Sequence, residues 1–296
     1  MSNSLLITET EKILNKSIKS IESPLQGADS SVLICSLDDS SEIVLKYGEE
    51  VHKDLAVINI LNESAYKKIP KVLGDFVLEE KTCLITDKAT GTLWEFCDNP
   101  DVYIEEVLVE IEKIHQVTSK YPGQPFYIDQ GLKITWIDFL NRRYDGTEEY
   151  YKWNNVLKNQ RVNTQLLKKG LEIVRSGIKS VSVPQTFSML HMDLNDRNIF
   201  IDEQTKEITC VIDWTDSVFG DRLLDLARFR LLLTHFYPDS INTYWQFNKF
   251  AHEEKKLEEF YFLCICLDYV IWYSEGEDWD YLERHEEILS EVIREY

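Results

Sequence analysis

The hydrophobic pattern of this chain changes its period near residue 90, and this change limits the folds open to it. Before it, short apolar runs such as "VLICSL" (32–37) and "EIVLKYG" (42–48) are separated by polar turn sequences, as in antiparallel strands. After it, apolar residues recur every three or four positions, as in "VYIEEVLVEIEKIH" (102–115), which is typical of amphipathic helices. We therefore expect an α+β fold, with a small β-rich part followed by a larger, mainly helical part.

The order of elements in the first ninety residues can be read in more detail. A helix is expected over residues 4–20, and a hairpin of two strands is expected over 32–48. A second helix follows, and then two strands flank the polar "EEKT" turn at 79–82. Because no Pro/Gly-rich linker separates the two parts, we expect one domain over residues 1–90 to pack directly against another over residues 91–296.

The chain is strongly acidic, with a formal net charge of −20 over 296 residues. Its field repels nucleic-acid phosphates and anionic lipids, and it favours a cationic partner. A simpler explanation, in which the acidity only keeps the protein soluble, stays open. No uninterrupted apolar run approaches the ~18 residues of a membrane-spanning helix, so we expect neither nucleic acid nor membrane as a partner.

The cysteines and the N-terminus both indicate a reducing compartment. The six cysteines lie in apolar segments without CxxC spacing, which suits buried free thiols. The N-terminal "MSNSLLITETEKILNKSIK" lacks a basic region followed by an apolar core and a cleavage site, so it does not resemble a secretory signal. A cytoplasmic protein is expected, and the sequence leaves its oligomeric state open.

Polar residues stand at the ends of three brief apolar runs between residues 188 and 213. Asp193 ends the run "SMLHMD", Asn198 begins the run "NIFID", and Asp213 ends the run "EITCVID". Carboxylate and amide oxygens are the ligands that Mg²⁺ prefers, usually together with substrate phosphates. A further carboxylate that binds no metal can accept a proton from an alcohol. These residue types therefore indicate phosphoryl transfer, in which a protein mainly positions the reactants and neutralises charge.

The same stretch resembles a known family. "HMDLNDRN" followed by "VIDW" is similar to the catalytic and metal-binding loops of aminoglycoside phosphotransferases and their small-molecule kinase relatives, which have the two-lobed protein-kinase-like fold. Each motif alone is common in proteins. Their order, with 20 positions between Asp193 and Asp213, makes the joint match specific.

The resemblance implies a role for each matching residue. Asp193 would accept the proton of the attacking hydroxyl, while Asn198 and Asp213 would hold Mg²⁺. His191 would be structural. Asp225, in "GDRLLDLARF", would hold the catalytic loop through hydrogen bonds rather than contact substrate.

The loop departs from the family pattern at residue 192. Met192 stands where these families usually have Gly, so the course of the backbone is expected to differ there. Asp193 keeps its implied acid–base role.

The N-terminal part supplies the residues that the resemblance requires for nucleotide binding. Lys46 matches the strand lysine that contacts the α- and β-phosphates of ATP or GTP. Asp54 stands on the following helix where the family usually has Glu. Because Asp is one methylene shorter, a Lys46–Asp54 pair needs a closer helix, and Glu50, one turn earlier, is the alternative partner.

The segment "CLITDKATG" (83–91) is similar to the family's hinge. The resemblance implies that Thr86 is the gatekeeper, and that the Asp87 carbonyl and the Ala89 amide bind adenine. These residues do not discriminate between ATP and GTP.

The phosphate loop is less typical, since "LQGADSSV" (25–32) contains a single glycine, Gly27. Ser30 and Ser31 are candidates for hydroxyl or amide donors to phosphate. An ordinary hairpin turn is the alternative.

The acceptor is expected to be a small molecule, because only seven residues separate Asp213 from Asp221 and leave no room for a peptide-binding activation segment. The later helices are rich in tyrosine, tryptophan and acids, which would attract a cationic acceptor. An aminoglycoside is the first candidate; choline, another amino alcohol, a macrolide and a sugar stay open. The acids in these helices are Glu253, Glu254, Glu258, Glu259, Asp268, Glu275, Glu277, Asp278 and Asp280. The candidate acceptor-binding residues are Asp196, Glu275, Asp278 and Trp279.

Two other classes of function compete with this hypothesis. A nucleotide-binding pseudokinase would keep the fold and lose the chemistry, but Lys46, Asp193, Asn198 and Asp213 are all present. A hydrolase with His191 as a metal ligand would need further ligands, and the six histidines form no HExxH or HD pair.

Overall fold

The strands expected in the first ninety residues are present in the structure, a computed structural model that describes residues 3–24, 31–144 and 153–296. The α+β prediction is confirmed. From the N-terminus to residue 144 the elements are α1 (Asn3–Leu14), β1 (Ile18–Glu22), β2 (Ser31–Leu37), β3 (Glu42–Gly48), α2 (Val51–Glu63), β4 (Val72–Leu78), β5 (Lys81–Asp87), β6 (Thr92–Leu93), α3 (Ile104–His115), β7 (Thr118–Ser119), α4 (Pro125–Asp129) and α5 (Trp136–Tyr144). From residue 153 they are α6 (Trp153–Val156), α7 (Thr164–Gly177), β8 (Phe187–Leu190), β9 (Ile199–Asp202), β10 (Glu207–Val211), β11 (Val218–Gly220), α8 (Arg222–Phe236), α9 (Ile241–Asn248), α10 (His252–Glu275) and α11 (Trp279–Ile293).

The chain forms two compact units, and each unit is built from three separate stretches of the sequence. The first contains Met1–Glu106, Gln124–Gln130 and Asp193–Ser217, and the remaining residues form the second. Residues 193–217 therefore group with the N-terminal strands, although they follow a long helical stretch. A functional division at residue 90 stays a prediction.

The main sheet of the first unit is antiparallel, and within the described residues its order is β1-β2-β3-β5-β4. One face packs against α1 through a core that includes Leu6, Leu45 and Ile85. Lys46 pairs with Leu84 of β5, and Val44 pairs with Thr86. Because directly paired residues project to the same side of a sheet, Lys46 and Thr86 share the face opposite this core.

The helix expected over residues 4–20 is shorter, which corrects the sequence analysis. α1 ends at Leu14, and Asn15 takes the left-handed conformation with φ 51°. Asparagine tolerates this conformation and often follows a helix end. The residues after it form the edge strand β1, so the first ninety residues contain a strand that their helical pattern does not indicate.

The second unit is built around α10, which is buried on all sides over much of its length. Buried residues run without a break from Phe260 to Asp268, which is typical of a central helix. α8 and α11 pack against it. In the described ranges, no helix is long and apolar enough to cross a membrane.

Two histidines lie inside the aromatic packing between α8, α10 and α11. His285 is 1% exposed. Its ring stacks on Tyr269 with centroids 5.3 Å apart and lies 4.6 Å from the ring of His235. Burial lowers the pKa of His285 from 6.5 to about 4, although a hydrogen bond to the Tyr281 carbonyl opposes this shift. The folded protein therefore holds His285 neutral.

We expect this histidine to make the fold acid-labile. Between pH 6.5 and about 4 the unfolded chain protonates His285 and the folded chain does not, so stability falls as the pH falls through this window. The contribution reaches about 3 kcal/mol at the acid end. His285→Phe keeps an aromatic ring and removes the titration, so urea unfolding of this variant should depend less on pH. His252→Gln, at an exposed histidine, is the control, and an equal pH dependence in wild type and His285→Phe would contradict the prediction.

Candidate active site

Lys46 lies at the centre of a network of oxygen acceptors in the first unit. Its ammonium donates to Asp213 Oδ1 at 2.7 Å, to Asp54 Oδ2 at 2.9 Å and to Thr215 Oγ1 at 3.2 Å. Burial by itself would lower the pKa of Lys46, but the two carboxylates outweigh it, and the pKa is raised above its ordinary value. Lys46 is therefore a permanent positive charge.

Asp54 is the carboxylate that pairs with Lys46, and it is 3% exposed. Its second oxygen, Oδ1, accepts the backbone N–H of Trp214 at 3.0 Å. The alternative partner, Glu50, pairs instead with Lys53 on its own helix. The structure therefore places the shorter acid against the strand lysine.

The position of Asp54 follows from the apolar face of α2. The buried residues of this helix are Val51, Asp54, Val57, Ile58 and Leu61, which recur at helical spacing. This face packs against β5, the strand paired with the one that carries Lys46. A lone carboxylate on such a face needs a buried partner, and Lys46 supplies it.

Asp193 is held by the amide of Asn198. Asn198 Nδ2 donates to the Asp193 carbonyl at 2.8 Å and to its carboxylate Oδ2 at 3.0 Å. The backbone N–H of Ile212 donates to the Asn198 carbonyl at 2.9 Å. This last bond fixes the chain immediately before Asp213 against Asn198, so the three polar residues quoted from the sequence lie in one locality.

The donor set at this place suits a hard cation. Asp213 offers a carboxylate, and its side chain is 45% exposed. The amide nitrogen of Asn198 is used on Asp193, which leaves the amide oxygen as the atom suited to bind a metal. One carboxylate and one amide oxygen fit Mg²⁺, which completes its coordination with water and phosphate oxygens.

Asp225 stabilises the backbone just before Asp193, within the second unit. Its carboxylate accepts the N–H of His191 at 3.2 Å and that of Met192 at 3.0 Å. The His115 ring nitrogen Nε2 lies 3.1 Å from the same carboxylate. Burial would raise the pKa of Asp225, but the interactions with His115 and these donors lower it. The carboxylate therefore stays ionised and accepts hydrogen bonds from the backbone that precedes Asp193.

Met192 has a backbone conformation that favours glycine. Its φ is 62°, in the left-handed region that glycine enters without penalty. The side chain is 3% exposed, so packing and the bond to Asp225 hold a conformation that a residue with a Cβ disfavours. A glycine at residue 192 could adopt the same backbone conformation.

The residues predicted to form the hinge lie at the end of β5 and just after it. Thr86 is 7% exposed on the Lys46 face of the sheet, Asp87 ends the strand, and Ala89 follows it. Gly91 has φ 101°, and an added Cβ would lie 2.5 Å from the Ile201 carbonyl oxygen, so this position requires glycine.

The candidate phosphate-loop residues are only partly visible. Ser31 begins β2 and pairs with Tyr47, one position from the Val32–Lys46 pair. Ser30 and Gly27 lie outside the described residues.

The candidate acceptor residues occupy separate parts of the chain. Asp196 lies in the first unit, on the loop that carries Asp193. Glu275 ends α10, Asp278 precedes α11 and Trp279 begins it. Residues 276–280 line a surface hollow of about 420 Å³. The Arg161 guanidinium lies over the Trp279 ring at 4.6 Å, so one face of this indole is already covered.

Two acids expected on the acceptor-facing surface are buried instead, which corrects the sequence analysis. Glu258 is 0% exposed and accepts from Arg230 at 2.9 Å and from the Tyr244 hydroxyl at 2.7 Å. Asp268 is 4% exposed and accepts from Arg143 at 2.9 Å. Both lie on the buried faces of the central helix, where an unpaired carboxylate would be costly. They neutralise arginines and do not form a surface for a ligand.

Sequence reasoning missed two contributors to these networks. Thr215 lies two residues after Asp213, and its hydroxyl also lies 3.2 Å from Asp213 Oδ1. His115 ends α3, 110 positions before the Asp225 that it contacts. Neither residue belongs to a recognisable motif, since each is selected by a contact between distant segments.

Comparison with known proteins identifies the family of this chain. The family described as "Phosphotransferase enzyme family" has a model that matches residues 26–255, which include Lys46, the Asp193 loop and Asp213. The chain belongs to this family. The prediction of an aminoglycoside phosphotransferase or related small-molecule kinase is thereby confirmed at the level of family and fold.

The sequence identity to individual relatives is low. Hygromycin-B 4-O-kinase from Escherichia coli is 27% identical over 175 residues, which are 55% of this chain and 48% of that protein. The match thus spans about half the length of this curated relative. The apo crystal structure of a thermostable mutant of aminoglycoside phosphotransferase APH(4)-Ia is 20% identical, with a TM-score of 0.78 over 99% of this chain and 98% of that one. A ternary complex of such a mutant with ADP and hygromycin B has a TM-score of 0.74 at 20% identity and covers 98% of both chains.

The hydrogen bonds between Asp225 and the backbone before Asp193 can be tested by an isosteric substitution. In Asp225→Asn an NH₂ group replaces one of the oxygens that accept from His191, Met192 and His115. A buried donor is then left without an acceptor, so we expect a loss of about 3 kcal/mol or more in the free energy of unfolding, measured with urea. The control is Asp239→Asn, at an exposed aspartate of the same unit. Equal stability of the two variants would contradict a supporting role for Asp225.

Proposed function

We propose that this protein transfers the γ-phosphate of ATP or GTP to a hydroxyl of a small cationic molecule, with an aminoglycoside antibiotic as the first candidate acceptor. The observation that carries the proposal is the Asp193–Asn198 pair. It is tied through the 198–212 backbone bond to Asp213, whose carboxylate lies 2.7 Å from the Lys46 ammonium. A base, an oxygen donor set and a fixed positive charge therefore occur together in the first unit.

Asp193 serves as the base in this reaction. Its carboxylate accepts the proton of the acceptor hydroxyl while the hydroxyl oxygen forms a bond to the γ-phosphorus. The bond between that phosphorus and the β–γ bridging oxygen breaks, and its electron pair leaves on the nucleoside diphosphate. The proton on Asp193 then passes to solvent.

The neighbours of Asp193 suit this role. The amide of Asn198 holds Asp193 through one hydrogen bond to its backbone carbonyl and one to its carboxylate, and so orients the carboxylate. In the family's loop, Asn198 and Asp213 would hold Mg²⁺, which neutralises charge on the β- and γ-phosphate oxygens when bound.

Lys46 would contact the α- and β-phosphates. Its ammonium has three acceptors in the structure, and the Asp54 bond can persist while a phosphate oxygen replaces Asp213 or Thr215. Its raised pKa keeps the charge that this contact needs.

The base of the nucleotide would bind at the end of β5. The Asp87 carbonyl and the Ala89 amide are proposed to pair with adenine, beside Thr86 on the Lys46 face. Ser30 and Ser31 are proposed as phosphate-loop donors.

The choice of a cationic acceptor is supported by charge and by relatives. The net charge of −20 favours cations at long range. The curated relative is named a hygromycin-B kinase, and a structural neighbour is named as a complex with hygromycin B. Asp196, Glu275, Asp278 and Trp279 are proposed to contact the acceptor. Choline, another amino alcohol, a macrolide and a sugar are the alternatives to be screened.

The role of Asp193 is tested by Asp193→Asn. The amide has a similar shape and cannot accept the hydroxyl proton at neutral pH, so transfer should fall by about 10²-fold or more. The dissociation constant for the nonhydrolysable nucleotide AMP-PNP should change less than about threefold, because the residue does not contact the nucleotide base or Lys46. Transfer is measured as release of the nucleoside diphosphate, ADP from ATP or GDP from GTP, against a panel of aminoglycosides, amino alcohols, macrolides and sugars.

Asp239→Asn is the matched control, since it makes the same substitution at an exposed position. Full turnover in Asp193→Asn would overturn the assignment of the base. A wild-type protein that binds AMP-PNP, phosphorylates no acceptor in the panel and shows no slow hydrolysis of ATP with Mg²⁺ would instead be a nucleotide-binding pseudokinase.

The two candidate acceptor-binding acids at the end of α10 and the start of α11 are tested by removing both charges; Asp278 lines the hollow, and Glu275 directly precedes it. In Glu275→Gln/Asp278→Asn we expect the KM for a cationic acceptor to rise by about three- to tenfold at low salt, with kcat nearly unchanged, because the acids attract the acceptor without taking part in chemistry. Asp278 makes no side-chain capping bond to α11, so its substitution should cost little stability. Glu112→Gln/Asp239→Asn removes the same charge from exposed positions elsewhere in the second unit. Equal KM values in the two double variants would exclude Glu275 and Asp278 from acceptor binding.

A further inference from the structure

Asp54 uses both of its carboxylate oxygens, and the second contact is not explained by pairing with the strand lysine. Oδ2 accepts from Lys46 at 2.9 Å, whereas Oδ1 accepts the backbone N–H of Trp214 at 3.0 Å. Trp214 directly follows Asp213. The carboxylate on α2 is therefore bonded to the main chain next to the proposed metal-binding aspartate.

The segment that receives this bond has an unusual backbone. Asp213 has φ 65°, in the left-handed region that residues with a Cβ seldom occupy. Such a conformation persists only where the surroundings determine it. The Asp54 carboxylate accepts the backbone N–H of Trp214, the next residue. Lys46 donates a hydrogen bond to the hydroxyl of Thr215, one residue further on.

The indole of Trp214 completes this anchoring. It is fully buried, and its Nε1 donates to the Val211 carbonyl at 3.0 Å. Its ring meets that of Tyr66 edge-on with centroids 6.0 Å apart. The main-chain N–H of Trp214 is thus buried as well, so the loss of its acceptor cannot be repaired by solvent without moving the indole.

The length of the side chain at position 54 decides whether both contacts form. Val51, Ile58 and Leu61 pack α2 against the sheet, so the helix cannot withdraw to accommodate a longer acid. Glutamate would carry its carboxylate ~1.5 Å further from the helix axis, one carbon–carbon bond beyond that of aspartate. A flexible lysine follows this displacement, while a backbone amide in a buried segment does not.

We propose that Asp54 is a positioning residue whose bond to the Trp214 amide holds residues 213–215, and thereby the Asp213 carboxylate, in the orientation used for metal–nucleotide binding. Aspartate is required for this role, because glutamate keeps the Lys46 pair and loses the amide. The role rests on the proposed phosphotransferase function, and it concerns binding geometry rather than the acceptor.

The test compares Asp54→Glu and Asp54→Ala with the wild type in two measurements without turnover. The first is the hydrogen-exchange rate of the Trp214 backbone amide by NMR. The second is the affinity for AMP-PNP by calorimetry, once with Mg²⁺ and once with EDTA. Glu50→Asp is the matched control, because it changes a carboxylate by one methylene at an acid that pairs with Lys53 and not with Lys46.

We expect the Trp214 amide of Asp54→Glu to exchange about tenfold faster or more, as in Asp54→Ala, because both variants lack its acceptor. The increase in AMP-PNP affinity produced by Mg²⁺ should shrink by about five- to tenfold in both variants. In EDTA, Asp54→Glu should bind AMP-PNP within about twofold of the wild type, since its pair with Lys46 remains, whereas Asp54→Ala should bind it more weakly. Glu50→Asp should match the wild type throughout.

Asp54→Glu with wild-type amide exchange and a wild-type response to Mg²⁺ would overturn the proposal and reduce Asp54 to a counter-ion of Lys46. If Asp54→Glu does not fold, wild-type protection of the Trp214 amide in Asp54→Ala overturns it equally. A protein that phosphorylates no acceptor but shows the expected pattern would leave this proposal standing and refute only the proposed function, since neither measurement involves transfer.

Discussion

The ammonium of Lys46, held between two carboxylates, is the interaction on which the proposed site depends. A buried lysine tends to lose its proton, and Asp54 and Asp213 reverse that tendency. In return, Lys46 allows a carboxylate to lie on the apolar face of α2 and a second one to lie beside it on the segment after β10. Removing the lysine charge would leave two carboxylates uncompensated in a partly dry place.

Hydrogen bonds to the backbone organise the rest of the polar residues. Asp225 accepts two consecutive amides before Asp193, the Asn198 carbonyl accepts from Ile212, and Asp54 accepts from the residue after Asp213. In each case a polar group fixes the main chain on which a proposed functional side chain is carried. The side chain of Asp193 is itself oriented by the amide of Asn198.

Much of this could be predicted from the sequence, because some of its signals are local. The change from strand-like to helix-like periodicity anticipates the α+β fold, and the spacing of Asp193, Asn198 and Asp213 anticipates their common locality. The end of α1 and the edge strand β1 were missed, since a short amphipathic run does not distinguish a helix from a strand. The acid content of the later helices was also a poor guide to the acceptor-binding surface, because Glu258 and Asp268 are buried and pair with arginines from other helices.

The sequence by itself determined the family, the change from strands to helices and the chemical types available at the proposed site, because motifs and periodicity are written in neighbouring residues. Only the tertiary structure decided which acid pairs with Lys46 and that Asp54 also accepts from the Trp214 amide. It also decided that Thr215 contacts Lys46 and that His115 contacts Asp225. These choices depend on distances between segments far apart in the chain. Such distances are set by how α2 packs on the sheet and how the helices of the second unit pack together, and no local pattern encodes them.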